Sequence, residues 1–238
     1  MIQKMGKSKY VRRMFDRIAH RYDLINRIMT FGQDRVWRRY MVSLSGIKLG
    51  YRVLDIGAGT GSIGSEICAR YSDVSVINAD FSLEMMRNGQ AREKNSNSMW
   101  CCADAQDLPF ADETMDVVTS AYLIRNVSDI QKTFSEKLRV VKPGGYMVCL
   151  ETSPPKKNIM LPLIMVYFEW IIPLLGLLIS GNRQAYQYLP QTTRLFFEPD
   201  VLANYMKRIG FVDVSFRSFM FGTIVVFRGK RPGISISG

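Results

Sequence analysis

The run Val53-Leu54-Asp55-Ile56-Gly57-Ala58-Gly59-Thr60-Gly61 constrains this chain more than any other stretch. Apolar residues around a single acid predict a buried parallel strand, and the glycines after it predict a tight turn into a helix. That is the architecture of a nucleotide site, because residues without a Cβ let backbone N–H groups approach a ligand closely. The register of the glycines bears on which ligand. A dinucleotide fingerprint, GxGxxG, opens on the turn itself. Counted from Gly57, its sixth position is Ser62 and the pattern fails. Counted from Gly59, the pattern is met through Gly64, but its first glycine then lies two residues too late for the turn. Asp55 discriminates further. A carboxylate beside the turn repels a pyrophosphate and suits a neutral-to-cationic ligand.

Asp55-x-Gly57-x-Gly59-x-Gly61 resembles motif I of class I methyltransferases dependent on S-adenosylmethionine (SAM). Later segments agree with that resemblance. Residues 74–80 read as a second strand ending in an acid, Asp80, a position that holds ribose hydroxyls in both ligand classes. Ala103-Asp104-Ala105 follows a short third strand, where these methyltransferases set an acid against the adenine amine. Lys142-Pro143-Gly144-Gly145 resembles their turn into the fifth strand. The resemblance implies a cofactor site of Asp55, Gly57, Gly59, Thr60, Gly61, Asp80, Asp104 and Ala105. SAM would be the methyl donor and S-adenosylhomocysteine the product.

Residues 10–45 read as helical, with Val11, Phe15, Ile18, Tyr22 and Ile25 at three- and four-residue spacing. Strand 51–56, helix 60–70, strand 74–79, helix 82–94, strand 98–102, strand 115–121, helix 128–140 and strand 145–151 follow. This alternation predicts a parallel sheet with helices on both faces. The rhythm breaks after residue 151 and resumes with a helix from Pro199 to Ile209. Strands 211–217 and 221–228 then form a hairpin that places one antiparallel strand in the sheet. The expected fold is a Rossmann-like α/β sheet of seven strands, mostly parallel. Its expected parts are an N-terminal helical extension (1–45) facing substrate and membrane, a SAM-binding core (46–155), an apolar helical insert or lid (156–198), and a C-terminal helix and hairpin completing the sheet (199–238).

The insert contains twenty-two residues, Ile159 to Ser180, with one charge, Glu169. As a helix it would measure roughly 33 Å, enough to cross a bilayer. Three features argue against crossing. Pro162, Pro173 and Gly176 interrupt it. Glu169 near the middle would cost about 2.5–3.5 kcal/mol. A single crossing would also strand the last two strands away from the sheet they complete. A broken apolar insert at the substrate mouth is expected, covering a greasy substrate, touching the membrane interface or forming a homodimer contact.

The net charge of +11 is uneven: residues 1–40 hold eleven Lys/Arg against three acids, and residues 41–155 eleven against fourteen. Basic flanks suit an anionic surface, phospholipid or nucleic acid. No nucleic-acid module is visible, so peripheral contact with an anionic membrane is expected. The first twenty residues lack the apolar stretch of a signal peptide. Cys68, Cys101, Cys102 and Cys149 have neither disulfide nor metal spacing. Reduced core thiols, a cytoplasmic location and no bound metal are expected.

From about Val11 to Lys230 the chain resembles the ubiquinone/menaquinone biosynthesis C-methyltransferases. The resemblance is carried by residues 15–26 around Tyr22-Asp23 and Asn26, by Gly32 and 35–38, and by Asp104-Ala105-Gln106-Asp107-Leu108-Pro109-Phe110. Leu123-Ile124-Arg125-Asn126-Val127, Glu151-Thr152-Ser153-Pro154 and Tyr186-Gln187-Tyr188-Leu189-Pro190 complete it. The last and the Arg-Asn pair are the most discriminating. Departures include Asp34 where a histidine is usual and Ile25 where methionine is common. The resemblance implies methyl transfer from SAM to a ring carbon of a prenylated hydroquinone, demethylmenaquinol or a ubiquinone precursor. A ring carbon becomes nucleophilic when a neighbouring phenol loses its proton, so the site must orient the ring, stabilise a phenolate and exclude water. Arg125 is expected to stabilise that phenolate or orient a proton-accepting water. Asn126 is expected to donate to a quinol oxygen, and Tyr22 to close the pocket. His20 is the single histidine, and a surface or capping role is expected for it. Rival readings are a methyltransferase of another lipid-soluble aromatic or small molecule, a non-catalytic lipid-binding subunit and an NAD-dependent oxidoreductase.

Overall fold

A computed structural model describes residues 2–93, 98–156 and 159–233. Position 1 of the N-terminal extension, 94 of the expected helix 82–94, 157 and 158 of the insert, and 234–238 of the C-terminal part lie outside the described residues. Strands β1 (Arg52–Ile56), β2 (Ser75–Asp80), β3 (Ser98–Cys102), β4 (Met115–Ala121), β5 (Val141–Thr152), β6 (Val212–Phe219) and β7 (Ile224–Lys230) form one sheet. Its order is β3-β2-β1-β4-β5-β7-β6. The first five strands pair in parallel, and β7 runs antiparallel to both neighbours. The chain winds outward from β1 through β2 to β3, then returns to place β4 on the other side of β1. That reversal opens a crevice at the carboxyl ends of β1 and β4, where ligands bind in such sheets.

The central strands are buried on both faces, which explains their nearly continuous apolar sequence. One face packs against α6 (Ile130–Val140) and α10 (Pro199–Ile209), around Phe134, Leu202 and Met206. The other packs against α3 (Gln33–Leu44) and α4 (Ser62–Arg70), around Trp37, Met41, Ile63 and Ile67. Helix α5 is Leu83–Gln90. Cys149 is a buried thiol as expected, but Cys102 is exposed because β3 is the sheet edge. The expected turn at 142–145 is instead absorbed into a long β5, whose pairing with β4 shifts register between Met115 and Val117.

The N-terminal region consists of α1 (Ile2–Ile18), a short 3-10 turn, α2 (Tyr22–Met29) and α3. A reversal at Phe31 and Gly32, both with positive φ, separates α2 from α3. Helices α1 and α2 share a third apolar cluster with the insert, through Met14, Ile18, Ile25, Met29, Ile172 and Tyr186.

The insert is not broken where its prolines and glycine suggested. Residues Leu161–Ser180 form a continuous helical run: α7 (Leu161–Val166), a π-helical turn (Tyr167–Ile171) and α8 (Ile172–Ser180). Pro173 lacks an N–H and its ring would crowd the carbonyl four residues back; the wider π turn just before it relieves both problems. Pro162 sits in the first turn of α7, where an N–H has no partner to lose. The run is long and apolar enough to cross a membrane, and 22% of it is buried in the protein. It nevertheless packs on α2 and on α9 (Arg183–Arg194), and Glu169 is paired with Arg194 at 2.7 Å. The chain then returns to the same sheet through β6 and β7.

Gly176 sets the spacing of α8 and α9: a Cβ there would lie 2.3 Å from the Tyr186 ring. Gly176→Val should therefore destabilise the insert. Overpacking of this kind costs about 1–3 kcal/mol, and thermal unfolding should register it as roughly 2–4 °C per kcal/mol.

Candidate functional site

Asp55 stands near the end of β1, between β2 and β4, and is almost wholly buried. Its Oδ1 accepts a hydrogen bond from the Thr119 hydroxyl at 2.8 Å. Its Oδ2 is buried with no partner. Burial pushes the carboxyl up to about 7, against the pull of the Thr119 hydroxyl. A buried carboxylate oxygen without a donor is costly, and the amino group of SAM is a group that would satisfy it. Beyond Asp55 the chain turns through Gly57, Gly59 and Gly61, all at positive φ. At Gly57 a Cβ would also lie 2.8 Å from Leu123, so both conformation and space exclude a side chain.

Asp80, at the end of β2, props this turn. It accepts from the Gly59 N–H and the Ser82 N–H, each at 2.8 Å. Burial pushes its carboxyl up to about 6, with those N–H groups opposing. The carboxylate keeps acceptor capacity beyond these N–H groups and that of Phe81, which suits a ribose hydroxyl of the cofactor. Asp80, Gly57 and Gly59 line one part of the cleft with Phe81 and Met85; Asp55, Gly57, Gly59 and Thr60 line the other. Gly61 turns the chain into α4 and is absent from either lining. Asp104 and Ala105 also lie outside both linings. Asp104 is exposed and caps its own turn, accepting from the Gln106 N–H at 2.9 Å. Ala105 is buried in the sheet core. Both follow the edge strand β3, just beyond Ala103, whose N–H donates to the Asp80 carbonyl at 3.0 Å.

The N-terminal helices close over this cleft. Asp23 of α2 accepts from the Thr60 hydroxyl at 2.9 Å and the Ser62 hydroxyl at 3.3 Å. Its other oxygen pairs with Arg92 at 2.8 Å. Asp16 of α1 accepts from the Ser82 hydroxyl at 2.6 Å. The sequence singled out the Tyr22-Asp23 pair but did not reveal this tie.

On the far side of Tyr22 lies a largely apolar cavity enclosing about 940 Å³ with its mouth. The N-terminal helices, the insert and α9 wall it, with Tyr22, Tyr122, Arg125 and Asn126 at its floor. Tyr22 and Tyr122 line this cavity and both parts of the cofactor cleft. They form the partition between the two spaces, and burial raises both phenols above their ordinary pKa. Tyr122 holds a left-handed backbone (φ 55) just beyond β4, a strained conformation typical of functional turns.

Three polar atoms of the cavity lining are buried without a partner: Arg125 Nε, Asn126 Oδ1 and the Tyr188 hydroxyl. A wet or empty apolar core does not collect such groups; a pocket for a ligand with a few polar atoms does. Arg125 also forms a buried ion pair with Glu151 and lies 5.3 Å from the Tyr122 ring. It therefore meets both descriptions, structural partner and cavity cation. Asn126 differs from the donor role expected of it. Its Nδ2 donates to the Tyr122 carbonyl at 2.7 Å, leaving the acceptor Oδ1 free. Asp34, at the position where a histidine was expected, is the one carboxylate of the cavity lining and pairs with Arg38 at 3.2 Å. His20 is exposed and lines neither space. No cluster with metal-binding composition occurs among the described residues.

Comparisons with known proteins agree with this geometry. Residues 3–231 match the model of the ubiE/COQ5 methyltransferase family. The chain is 44% identical to the ubiquinone/menaquinone biosynthesis C-methyltransferase UbiE of Desulfotalea psychrophila, covering 95% of this chain and 92% of that one. It is 39% identical to a demethylmenaquinone methyltransferase of Roseiflexus castenholzii, covering 95% of each. A SAM-dependent methyltransferase of Thermotoga maritima shares the fold, with a TM-score of 0.66 at 18% identity over 93% of this chain and 99% of that one. The chain belongs to the ubiE/COQ5 family and is a SAM-dependent methyltransferase.

Proposed function

We propose that this enzyme methylates a ring carbon of a prenylated hydroquinone, demethylmenaquinol or a ubiquinone precursor, in respiratory quinone biosynthesis. The observation that carries this reading is the partition. An apolar cavity with a few unpaired polar atoms shares Tyr22, Tyr122 and Asn126 with the cleft that contains Asp55, Asp80 and the glycine turn. A flat phenolic ring would satisfy those atoms while its apolar remainder fills the cavity. The names of the relatives in Desulfotalea and Roseiflexus point the same way.

When bound, SAM supplies an electrophilic methyl group on a sulfonium. Asp55 would hold its amino group, Asp80 its ribose hydroxyls, and the Gly57–Gly59 backbone its close approach. Tyr22 and Tyr122 would orient the acceptor ring against the cleft. Asn126 Oδ1 would accept a hydrogen bond from one quinol hydroxyl. Arg125, always protonated, would stabilise the phenolate that forms when the proton leaves. SAM held by Asp55 and Asp80 would supply its methyl group to the ring carbon and leave as S-adenosylhomocysteine, and the ring proton would be released to solvent as aromaticity returns. The apolar wall keeps water from competing.

We also infer a cytoplasmic enzyme in peripheral contact with anionic membrane. The basic residues of 1–40 and the outward apolar side chains of the insert, Leu163, Trp170, Leu174 and Leu178 among them, support this reading. The same face would equally serve a homodimer.

Asp55 yields a pH test. Its folded pKa of about 7 exceeds the unfolded value near 4, so the protein keeps this proton longer when folded. The group's contribution to stability is fully present below about pH 4 and is lost as pH rises through about 7. A cationic ligand prefers the carboxylate, so SAM affinity should fall below about pH 7 by up to tenfold per unit. Asp55→Asn should bind weakly and lose that part of the profile, leaving a step near 6 from Asp80. Calorimetric titration between pH 5.5 and 7.5 checks both.

Arg125→Ala should abolish product formation from a demethylated quinol while SAM binding persists. It should also destabilise the fold by about 3–5 kcal/mol, because it strands buried Glu151. Adding Glu151→Gln should recover stability and leave turnover lost. A double variant that regains turnover would show that Arg125 serves the fold alone.

Trp170 is 69% exposed, whereas Trp37 is buried. Vesicles containing anionic lipid should shift the emission of Trp170 to the blue, and co-sedimentation should weaken with salt. Undiminished attachment after removal of residues 1–40 would count against the electrostatic part.

A further inference from the structure

A second apolar space adjoins the ring cavity. It encloses about 750 Å³ with its open side and runs outward between the insert, Phe31 and the β6–β7 turn. Tyr167, Phe168, Met220 and Thr223 line both spaces, so the two adjoin across these four side chains. Beyond them the walls are apolar: Phe31, Leu163, Ile164, Val166, Ile171 and Phe221 are among the lining residues. No charged side chain lines it among the described residues.

We propose that this groove is the binding site for the isoprenoid tail of the acceptor, carrying the tail from the ring cavity towards the outer face of the insert. The proposal rests on the quinol reading above and adds a subsite to it. Three observations select a tail as occupant. The groove abuts the space proposed for the ring, with Tyr167, Phe168, Met220 and Thr223 common to both, so a substituent leaving the ring on that side meets it first. Its lining offers almost no hydrogen-bonding groups, which excludes a polar substituent. Its outer rim carries exposed apolar side chains, Leu163 and Val166 among them, which a chain longer than the groove would still meet.

The fold makes unusual concessions here. Phe31 (φ 51) and Phe221 (φ 56) both adopt the left-handed backbone, which a side chain with a Cβ resists. Both are also largely exposed, at 75% and 57%. Strain without burial gains the fold nothing by itself; two aromatic rings at a groove lip gain a ligand surface. The π turn contributes as well. It falls where Tyr167 and Phe168 face both spaces, and the Phe31 and Tyr167 ring centroids lie 6.0 Å apart.

The test is a series of demethylnaphthoquinols bearing zero, one, two and four isoprene units, assayed with the full chain and labelled SAM. The wild-type KM should fall by about ten-fold or more over the first units with little change in kcat, the signature of binding remote from the chemistry. Leu163→Asp and Val166→Asp, which line the groove and not the ring cavity, should reduce that tail advantage at least about five-fold. Phe31→Asn should reduce it too while the thermal midpoint holds or rises, since asparagine tolerates the left-handed backbone. That pairing separates a ligand surface from a structural contact. Equal KM values along the series, or a tail advantage unchanged in all three variants, would overturn the tail site and leave the quinol reading standing. Variants that dissolve a dimer yet keep the tail advantage would assign the groove to a second copy instead. Normal SAM binding with no methylation of any quinol would remove the quinol reading, and the tail site with it.

Discussion

The carboxylate of Asp23 ties the N-terminal helices to the glycine turn, and the rest of the site depends on that tie. One oxygen meets the Thr60 and Ser62 hydroxyls and the other meets Arg92. Because Tyr22 is the adjacent residue, the same contact sets the partition between the cofactor cleft and the apolar cavity. The bond from the Ser82 hydroxyl to Asp16 assists it; without the pair of ties the helices would still bury an apolar face against the insert, but with less to stop them over the glycine turn. Each hydroxyl bond contributes about 0.5–1.5 kcal/mol, and the part-exposed pair with Arg92 adds less than about 1 kcal/mol. A tie of that strength holds a wall in register without sealing the cleft behind it.

Beneath the partition the charges are arranged with little margin. Arg125 and Glu151 form a buried pair whose members are expensive to separate. Lys137, fully buried, donates to the Ser120 hydroxyl at 2.5 Å, and burial pushes its amine down while Cys149, Glu151 and Asp55 pull it up. Asp55 has one oxygen satisfied and one open. The centre of the sheet thus carries two cations and two acids in an apolar surround, and only Asp55 has room for a further positive group. The cleft's suitability for a cationic ligand follows from that unfilled position, and the slight excess of acids in residues 41–155 works in the same direction.

The core was legible because its signals are local. Seven strands read from periodicity and turn residues all occur, and the acid-and-glycine pattern at Asp55 lies at the crevice where the winding reverses. Asp104 was read as an acid facing the adenine amine, but its exposure was not legible, since edge position is a property of strand order. Asn126 was recognised as polar at a strand end, yet which of its atoms stays free depends on the Tyr122 carbonyl, and the left-handed turn that brings that carbonyl near leaves no mark in spacing. Tyr122 and Asp34 went unassigned for a similar reason: each enters the cavity wall only when a distant helix closes over it. Tyr186 and Tyr188 were visible as a motif, and the place of the unpaired Tyr188 hydroxyl in the lining emerged only with the cavity.

The insert shows why composition alone misjudges such a segment. Prolines and a glycine suggested a break, whereas the chain keeps its helix by spending one π turn just ahead of Pro173. A straight, uninterrupted apolar helix of this length would bury one stripe and leave the rest to water or lipid. The π turn changes the angular register halfway along. It directs Tyr167 and Phe168 inward while Leu163 and Val166 upstream, and Leu174 and Leu178 downstream, remain outside. The same device therefore gives the helix two apolar faces with different duties. One closes a cavity on the protein side, and the other stays exposed beside the adjoining groove. If the proposed tail follows that groove, the second face is the surface a chain longer than the groove would meet.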